Sequence, residues 1–435
     1  LKIGAPSWGR YPAASQRVFT PSHRDTPLPT GDDRWLPYGN GRSYGDSCLN
    51  DGGTVVDTRR LEHFISFDSE SGLLRCEAGT QLADIIALAL PQGWFLPVSP
   101  GTRFVTVGGA IANDVHGKNH HVSGTFGEHV RAFELLRSDG QRLLCSPTEN
   151  NDWFVATIGG LGLTGLITWA EIALRRVPGP WLQTQSIKFQ DLAGFFALSA
   201  ESAADYEYTV AWIDCLAKGK ALGRGFFSRA NHVAPSDPPR DHARKQRRFP
   251  LTPPFSLVNT LSLRAFNTLY WHRQWRREHS AISHYQPFFY PLDGLAEWNR
   301  MYGPRGFLQY QCVVPPAVAA EATAELLARI QRSGSGSLLA VLKQFGDRVP
   351  VGLMSFPRAG TTLALDFPID AGRRVFALLD QLDEVVAQSG GAVYPAKDAR
   401  MSGANFRRYF PAWKTFQDFI DPQVSSSFWR RVMES

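Results

Sequence analysis

Between Tyr38 and Asp46 the chain reads Tyr-Gly-Asn-Gly-Arg-Ser-Tyr-Gly-Asp, with three glycines inside seven residues. Without side chains at Gly39, Gly41 and Gly45, successive backbone N–H groups can turn toward one point, which is how a loop cradles a pyrophosphate. The loop lacks the Lys-Ser/Thr pair of a P-loop and the GxGxxG spacing of a Rossmann turn. A second glycine-rich stretch runs from Ser99 to His121. There Thr106 is placed to cap a short helix whose first turn carries Gly108 and Gly109, leaving N–H groups open to a phosphate oxygen. Two such loops together support a dinucleotide ligand. His116, His120 and His121 surround Lys118 with only Asp114 as a nearby carboxylate, and a cation among the histidines speaks against a metal.

The residues around these loops predict a β-rich first domain. Thr54 to Asp57, His63 to Asp68 and Leu73 to Glu77 are strand candidates, Thr80 is expected to cap a helix over Gln81 to Leu90, and Val130 to Leu136 with Gln141 to Cys145 reads as a hairpin. After Pro178 and Pro180 the periodicity lengthens. A strand from Gly306 to Val314, a helix with Val318, Ala322, Leu326 and Ile330 spaced by four, and a strand from Ser337 to Phe345 form one unit. Thr361 to Phe367, a helix from Gly372 to Ser389 with Val375, Leu379, Leu382 and Val386 on one face, and Ala392 to Pro395 repeat the order. Tandem β-α-β units of this kind predict an antiparallel sheet backed by helices, a ferredoxin-like layer over the first domain. The class is α+β. The boundaries predicted are 1–178 for the nucleotide-binding domain, 179–391 for a substrate domain and 392–435 for a C-terminal segment. Val233 to Pro254, with six prolines and few apolar anchors, has the composition of a mobile loop.

Charge narrows the question of partners. From Arg240 to Ser280 nine cations face two carboxylates, a net of +7, while the rest of the chain holds 37 basic against 38 acidic side chains. That segment interleaves Arg244, Lys245, Arg247, Arg248, Arg273, Arg276 and Arg277 with Phe255, Phe266, Tyr270, Trp271 and Trp275. No nucleic-acid recognition module accompanies it, and the mixture reads either as a solvated loop with a charged helix face or as a surface for an anionic membrane. The uncharged runs 85–102 and 153–170 are broken by prolines and glycines, so a peripheral rather than a spanning protein is expected. Five widely separated cysteines, without CxxC spacing, argue against a disulfide framework or a zinc site and fit a reducing compartment.

The order GNGRSYGD, SPGTRFVTVGGAIANDVHGKNHH, SGTFGEHV and IGGLGLTGLI resembles the vanillyl-alcohol-oxidase type of FAD-dependent oxidoreductase. HGKNHH, EWNRMYGPRGFLQYQ and YPAKDAR are most similar to its decaprenylphosphoryl-ribose 2′-oxidase branch, the flavin subunit of an epimerase. The similarity runs from about Trp8 to the C-terminus. It implies a PCMH-type FAD-binding domain of two α+β subdomains, a substrate domain on an antiparallel sheet, and a tail that returns to the flavin.

Residue by residue, the resemblance places Gly39, Asn40, Gly41, Arg42 and Ser43 at the FAD pyrophosphate and Tyr44 beside the isoalloxazine. It places Pro100, Gly101, Thr102, Thr106, Gly108, Gly109, Ala112, Asn113, His116 and Gly117 along the cofactor, with Gly124 and Ile167 closing over the adenosine half. Arg42 stands where covalent relatives carry the attaching histidine, which implies noncovalent FAD. Lys397, with His116 and Tyr44, is the implied catalytic set. Lys397 serves either as a base or as a cation that stabilises charge on the reduced flavin. Lys118, Trp212, Gln309, Gln311, Lys343, Phe345 and Ala364 are implied at the substrate. Ala364 and Thr362 replace a cysteine and an asparagine of the mycobacterial-type pocket, and Phe289 falls where that pocket has a tyrosine. These departures leave the sugar open.

The implied activity is oxidation of a secondary hydroxyl of a sugar, a polyprenyl-phosphoryl pentose in the family's cell-wall role, with a separate reductase completing the epimerisation. The implied location is the cytoplasm with peripheral contact at the inner membrane surface. The alternatives are a soluble aldonolactone or sugar-alcohol oxidase acting on a free sugar, and a non-catalytic membrane-surface flavoprotein.

Overall fold

A computed structural model describes residues 4–29, 34–239 and 246–434. The expected positions Arg240, Arg244 and Lys245 of the basic segment lie outside the described residues. The class is α+β, built among the described residues on a three-stranded, a five-stranded and an eight-stranded sheet, with two two-stranded ribbons. Arg17–Phe19, Thr54–Asp57 and Trp35–Tyr38 form a parallel three-stranded sheet, and the last of these strands delivers the chain directly into the first glycine loop. A five-stranded antiparallel sheet runs Phe64–Asp68, Leu73–Glu77, Leu166–Ala173, Val130–Leu136, Arg142–Cys145. The helix Leu82–Ala89 buries Leu82, Ile85, Ile86 and Ala89. Its N-cap is Gln81, not the expected Thr80, because the extended Gln81 bridges to Thr106 of the second glycine loop.

The large sheet is antiparallel and eight-stranded. From edge to edge it runs Glu278–His284, Trp181–Phe189, Gly225–Val233, Tyr208–Ile213, Val341–Phe345, Gly360–Pro368, Phe307–Val314 and Ala392–Val393. In chain order the second half reads second, third, first, fourth, the strand order expected of the tandem β-α-β units. The first half is its mirror in order: fourth, first, third, second. The sheet is therefore two copies of one β-α-β-β-α-β arrangement, joined where Ala211 faces Leu342 and Trp212 faces Val341.

Strand alternation decides what each face does. Leu308, Tyr310, Cys312 and Val314, with Leu342, Leu363, Leu365 and Phe367, point into one buried cluster shared with the helices Leu192–Ser202, Ala319–Ser333 and Arg374–Gln388. Their neighbours at alternate positions point the other way, toward the glycine loops. The helix Thr260–His272 breaks the duplication, since Trp271 and Tyr270 pack on Trp212 and Phe226 of that second face. The strand expected from Ser337 is shorter, Val341–Phe345: Ser337 N–H donates to Cys215 Sγ and Ser337 Oγ accepts from Asp366 N–H, which holds this stretch off the ladder. Part of the expected mobile loop is tied down, with Arg247–Arg248 pairing in parallel with Leu295–Ala296 and Arg248 forking onto Glu297.

Beyond Val393 the chain crosses back. Tyr44 N–H donates to Ala396 O, Trp35 N–H to Gln423 O, and Arg431 from the final helix Ser427–Glu434 grips Asp46 and Asp398 at 2.8–2.9 Å. Among the described residues no helix is long and apolar enough to cross a membrane.

Candidate active site

One cavity of about 1220 Å³ lies between the glycine loops, the second face of the large sheet and the returning tail. It exceeds the roughly 300–1,000 Å³ of ordinary small-molecule pockets, so it has room for a large cofactor together with a substrate. Gly39 to Tyr44, Pro100, Gly101, Thr102, Thr106, Gly108, Gly109, Ala112, Asn113, His116, Gly117 and Ile167 all line it. The helix Val107–Ala112 begins at Thr106, whose Oγ1 accepts from Gly109 N–H as the spacing predicts, but the expected open N–H groups are not there, because Val107 and Gly108 N–H donate to Thr80 O and Ala78 O. Asn40 fastens the two loops together by donating to Phe104 O at 2.8 Å and Gln81 Oε1 at 3.2 Å.

This cradle fits FAD on its own geometry. Gly41 has φ of +58°, and a Cβ there would come within 2.1 Å of the Tyr38 hydroxyl. A Cβ on Gly39 would meet Thr106 Oγ1 at 2.3 Å, whereas one on Gly101 would meet nothing and project into open space. Arg42 is stacked 4.1 Å over Trp8, and among the described residues its buried Nε has no hydrogen-bond partner, a donor waiting for an acceptor such as a phosphate. Cys48, the cavity's lining cysteine among the described residues, is pushed by burial up to about 12 and stays a thiol. Replacing Gly39 by alanine is expected to push the loops apart and yield protein with a several-fold lower ratio of visible to ultraviolet absorbance, while the far-ultraviolet circular dichroism is retained.

The sheet supplies the opposite wall through its alternating positions. Val210 and Trp212, Val341 and Lys343, Gln309 and Gln311, and Ala364 come from four adjacent strands. The short strand Ala392–Val393 beside Phe307–Val314 aims the turn Pro395–Lys397 into the cavity. Lys397 Nζ lies 4.0 Å from the Tyr44 ring centroid, and among the described residues nothing accepts a hydrogen bond from it. Tyr44 in turn packs edge-on against Phe307.

Three lysines from distant parts of the chain meet here. Burial lowers Lys397 and Lys118 to about 8 and Lys343 to about 7, with the neighbouring lysines pressing Lys343 further. Lys118 donates to Phe289 O at 2.9 Å, and Lys343 to Gly117 O at 3.1 Å. His116 is held from both sides: Lys343 Nζ lies 3.2 Å from Nδ1 and the Gln311 amide 2.8 Å from Nε2. Burial, then the Lys343 charge, keeps this imidazole well below its ordinary 6.5 and therefore neutral. With both ring nitrogens engaged, His116 is a positioning group that orients Lys343 and Gln311, and Lys397 is the group left free.

Three expected positions are corrected. Gly124 lies off the cavity: it closes the helix His120–Ser123 at φ +64°, where a Cβ would collide with the Glu128 carboxylate. Phe345 is not a wall of the cavity, because its ring is taken up between His116 and His120 at 4.8 and 4.4 Å and braces them from behind. Phe289 is buried against Phe95 and Tyr208, so its missing hydroxyl does not alter the lining; only its carbonyl reaches the site, through Lys118.

Two carboxylates escaped the sequence reading. Asp366 receives Gln309 Nε2 at 2.5 Å and is raised by burial to about 7, with the charge of Lys397 acting against the rise. It stands two residues after Ala364 on the same strand face, so period-2 counting would have found it. Asp293, which accepts from Arg103 N–H at 3.0 Å at the cavity wall, follows no periodic element and carried no signal.

Residues 31–146 match the family described as FAD binding domain. The chain is 39% identical over 402 residues to a decaprenylphosphoryl-beta-D-ribose oxidase of Mycolicibacterium smegmatis, covering 89% of this chain and 86% of that protein. An uncharacterised Streptomyces coelicolor protein is 35% identical over 77% of this chain and 94% of its own length. A human Delta(24)-sterol reductase is 30% identical over 141 residues, 32% of this chain and 27% of the reductase.

Proposed function

Because this chain belongs to the vanillyl-alcohol-oxidase family of FAD-dependent oxidoreductases, we propose that it oxidises a secondary hydroxyl of a sugar carried on a phosphate, a polyprenyl-phosphoryl pentose. The observation that carries this reading is the meeting of Lys118 and Lys343 at one cavity beside Lys397, where burial lowers both and a bound anion would hold them charged. Buried cations are costly unless an anion or hydrogen bonds compensate them. The carboxylates that face them, Asp366 and Asp293, are themselves raised by burial. A phosphorylated substrate supplies the missing charge; a neutral aldonolactone or sugar alcohol does not.

Bound noncovalently, FAD supplies a two-electron acceptor for the hydride that leaves the carbinol carbon as the alcohol becomes a ketone. Arg42 and the backbone of the first glycine loop, Gly39 to Ser43, would hold the pyrophosphate. Lys343 and Lys118 hold the substrate anion, while Gln309, fixed by Asp366, and Gln311, fixed by His116 and Thr362, orient the sugar hydroxyls. Lys397 in its neutral form takes the hydroxyl proton. Trp212 and Ala364 shape the apolar side. In this reading residues 1–178 form a two-subdomain PCMH-type domain, 179–391 the substrate domain and 392–435 the returning segment, and a separate reductase consumes the ketone.

The test is an anaerobic screen for loss of the flavin's visible absorbance. Bleaching by a polyprenyl-phosphoryl pentose and not by free pentoses or aldonolactones is the expected result. Bleaching by neutral sugars at comparable rates would select the soluble oxidase instead, and no bleaching by any sugar would leave a binding flavoprotein.

A further inference from the structure

The helix Thr260–His272 is built the wrong way round for a solvated helix. Leu263, Asn267 and Trp271 face inward at every fourth position. The opposite stripe, Leu261, Ala265 and Leu269, should be polar, yet Leu261 and Leu269 are 78% and 74% exposed, and Trp275 just beyond the helix is 94% exposed. Cations flank these apolar groups: among the described residues no carboxylate pairs with Arg264, Arg276 or Arg277. On its inner side the same helix reaches the cavity, where Tyr270 and Arg273 form part of the lining and Tyr270 packs 4.5 Å from Trp212.

From this placement we infer that the outer face of Thr260–His272, continued through Trp275 to Arg277, docks onto an anionic lipid bilayer. Leucine and tryptophan side chains suit the headgroup boundary, and arginines beside them suit acidic lipid. A second copy of the chain is the less suitable cover, because a two-fold contact would set Arg264, Arg276 and Arg277 against themselves. The docked orientation puts the cavity rim at the membrane surface. If the substrate is lipid-linked as proposed above, its tail then stays in the bilayer while its sugar enters. The docking itself stands on the helix alone and fails or holds separately from that reading.

The FAD-loaded protein is sedimented with vesicles of phosphatidylcholine alone and of phosphatidylcholine with phosphatidylglycerol. Binding to the acidic vesicles, weakened by salt, is expected. Leu261→Glu with Leu269→Glu should reduce it at least tenfold, and Arg264→Gln with Arg276→Gln and Arg277→Gln on the order of a hundredfold, each at unchanged FAD content, since all five side chains lie outside the cavity lining. Failure to sediment with acidic vesicles overturns the inference. So does a dimer in solution that Leu269→Glu disperses, or vesicle binding that both sets of substitutions leave intact.

Discussion

Lys397→Met lowers the rate of anaerobic flavin bleaching by about 10²–10⁴-fold, the range for a positioned proton acceptor, without loss of bound FAD. Retention follows from the geometry: among the described residues nothing accepts a hydrogen bond from Nζ, so removing it unties no part of the cradle. The pH dependence of the unaltered enzyme carries the sign. A lysine accepts a proton only in its neutral form, and burial brings Lys397 down to about 8. The rate should therefore climb with pH and level off above about 8. A rate that falls through this range instead would make the ammonium the working form and Lys397 a stabiliser of charge. Asp366 provides a second reading, because its carboxylate is the group that raises Lys397 against burial. Asp366→Asn removes that charge, so the rising limb should move to lower pH, an effect that a purely structural aspartate would not produce.

Arg431→Met is expected to cost about 3–5 kcal/mol, the usual consequence of removing one partner from a buried ionic group. Arg431 reaches Asp46 and Asp398, both 4% exposed at the side chain, and without it two carboxylates face each other away from water. Burial already holds Asp46 above its ordinary value, with Arg431 opposing the rise. Once Arg431 is gone, Asp46 rises further. A carboxyl whose folded pKa exceeds its unfolded one adds stability at pH below the unfolded value and loses it as pH rises through the folded one. The deficit of the variant should thus be largest near neutral pH and shrink on acidification. Midpoints of urea unfolding across pH measure this; Arg431→Lys should recover part of the loss. Since the tail also carries Lys397, turnover should fall together with stability.

The glycine loops were legible because their chemistry is local: Thr106 caps and Gly39 yields within a few residues of sequence. The second half of the large sheet was legible for the same kind of reason, with apolar residues at regular spacing on the helices before Ser333 and Gln388. Its first half has the same strand order but went unread. Its second helix buries three side chains on the cavity face and exposes leucines on the other, so its pattern does not point to the side of the sheet on which it lies. The meeting of Lys118, Lys343 and Lys397 could not be read from spacing, since three separate segments bring them together. The resemblance named them individually without showing that they share one wall. Phe345 and Gly124 were misplaced for the converse reason: one is consumed by packing against His116 and His120, the other by a helix end.

The join between the two halves of the large sheet rests on two residue pairs, Ala211 with Leu342 and Trp212 with Val341, whereas Trp181–Phe189 and Gly225–Val233 are in register over nine. Both Trp212 and Val341 line the cavity. The ceiling of the cavity is thus thinnest along its own ridge, and each slope belongs to a different copy of the repeated β-α-β-β-α-β unit. Lys343 and Gln311 stand on one slope and Trp212 on the other, so a change in the width of that ridge alters the distance between cationic and aromatic contacts, and the bonds from Lys343 and Gln311 to His116 and Gly117 carry that change to the second glycine loop. Substrate fit and cofactor grip are in this way coupled through the second glycine loop, which is bonded to both slopes.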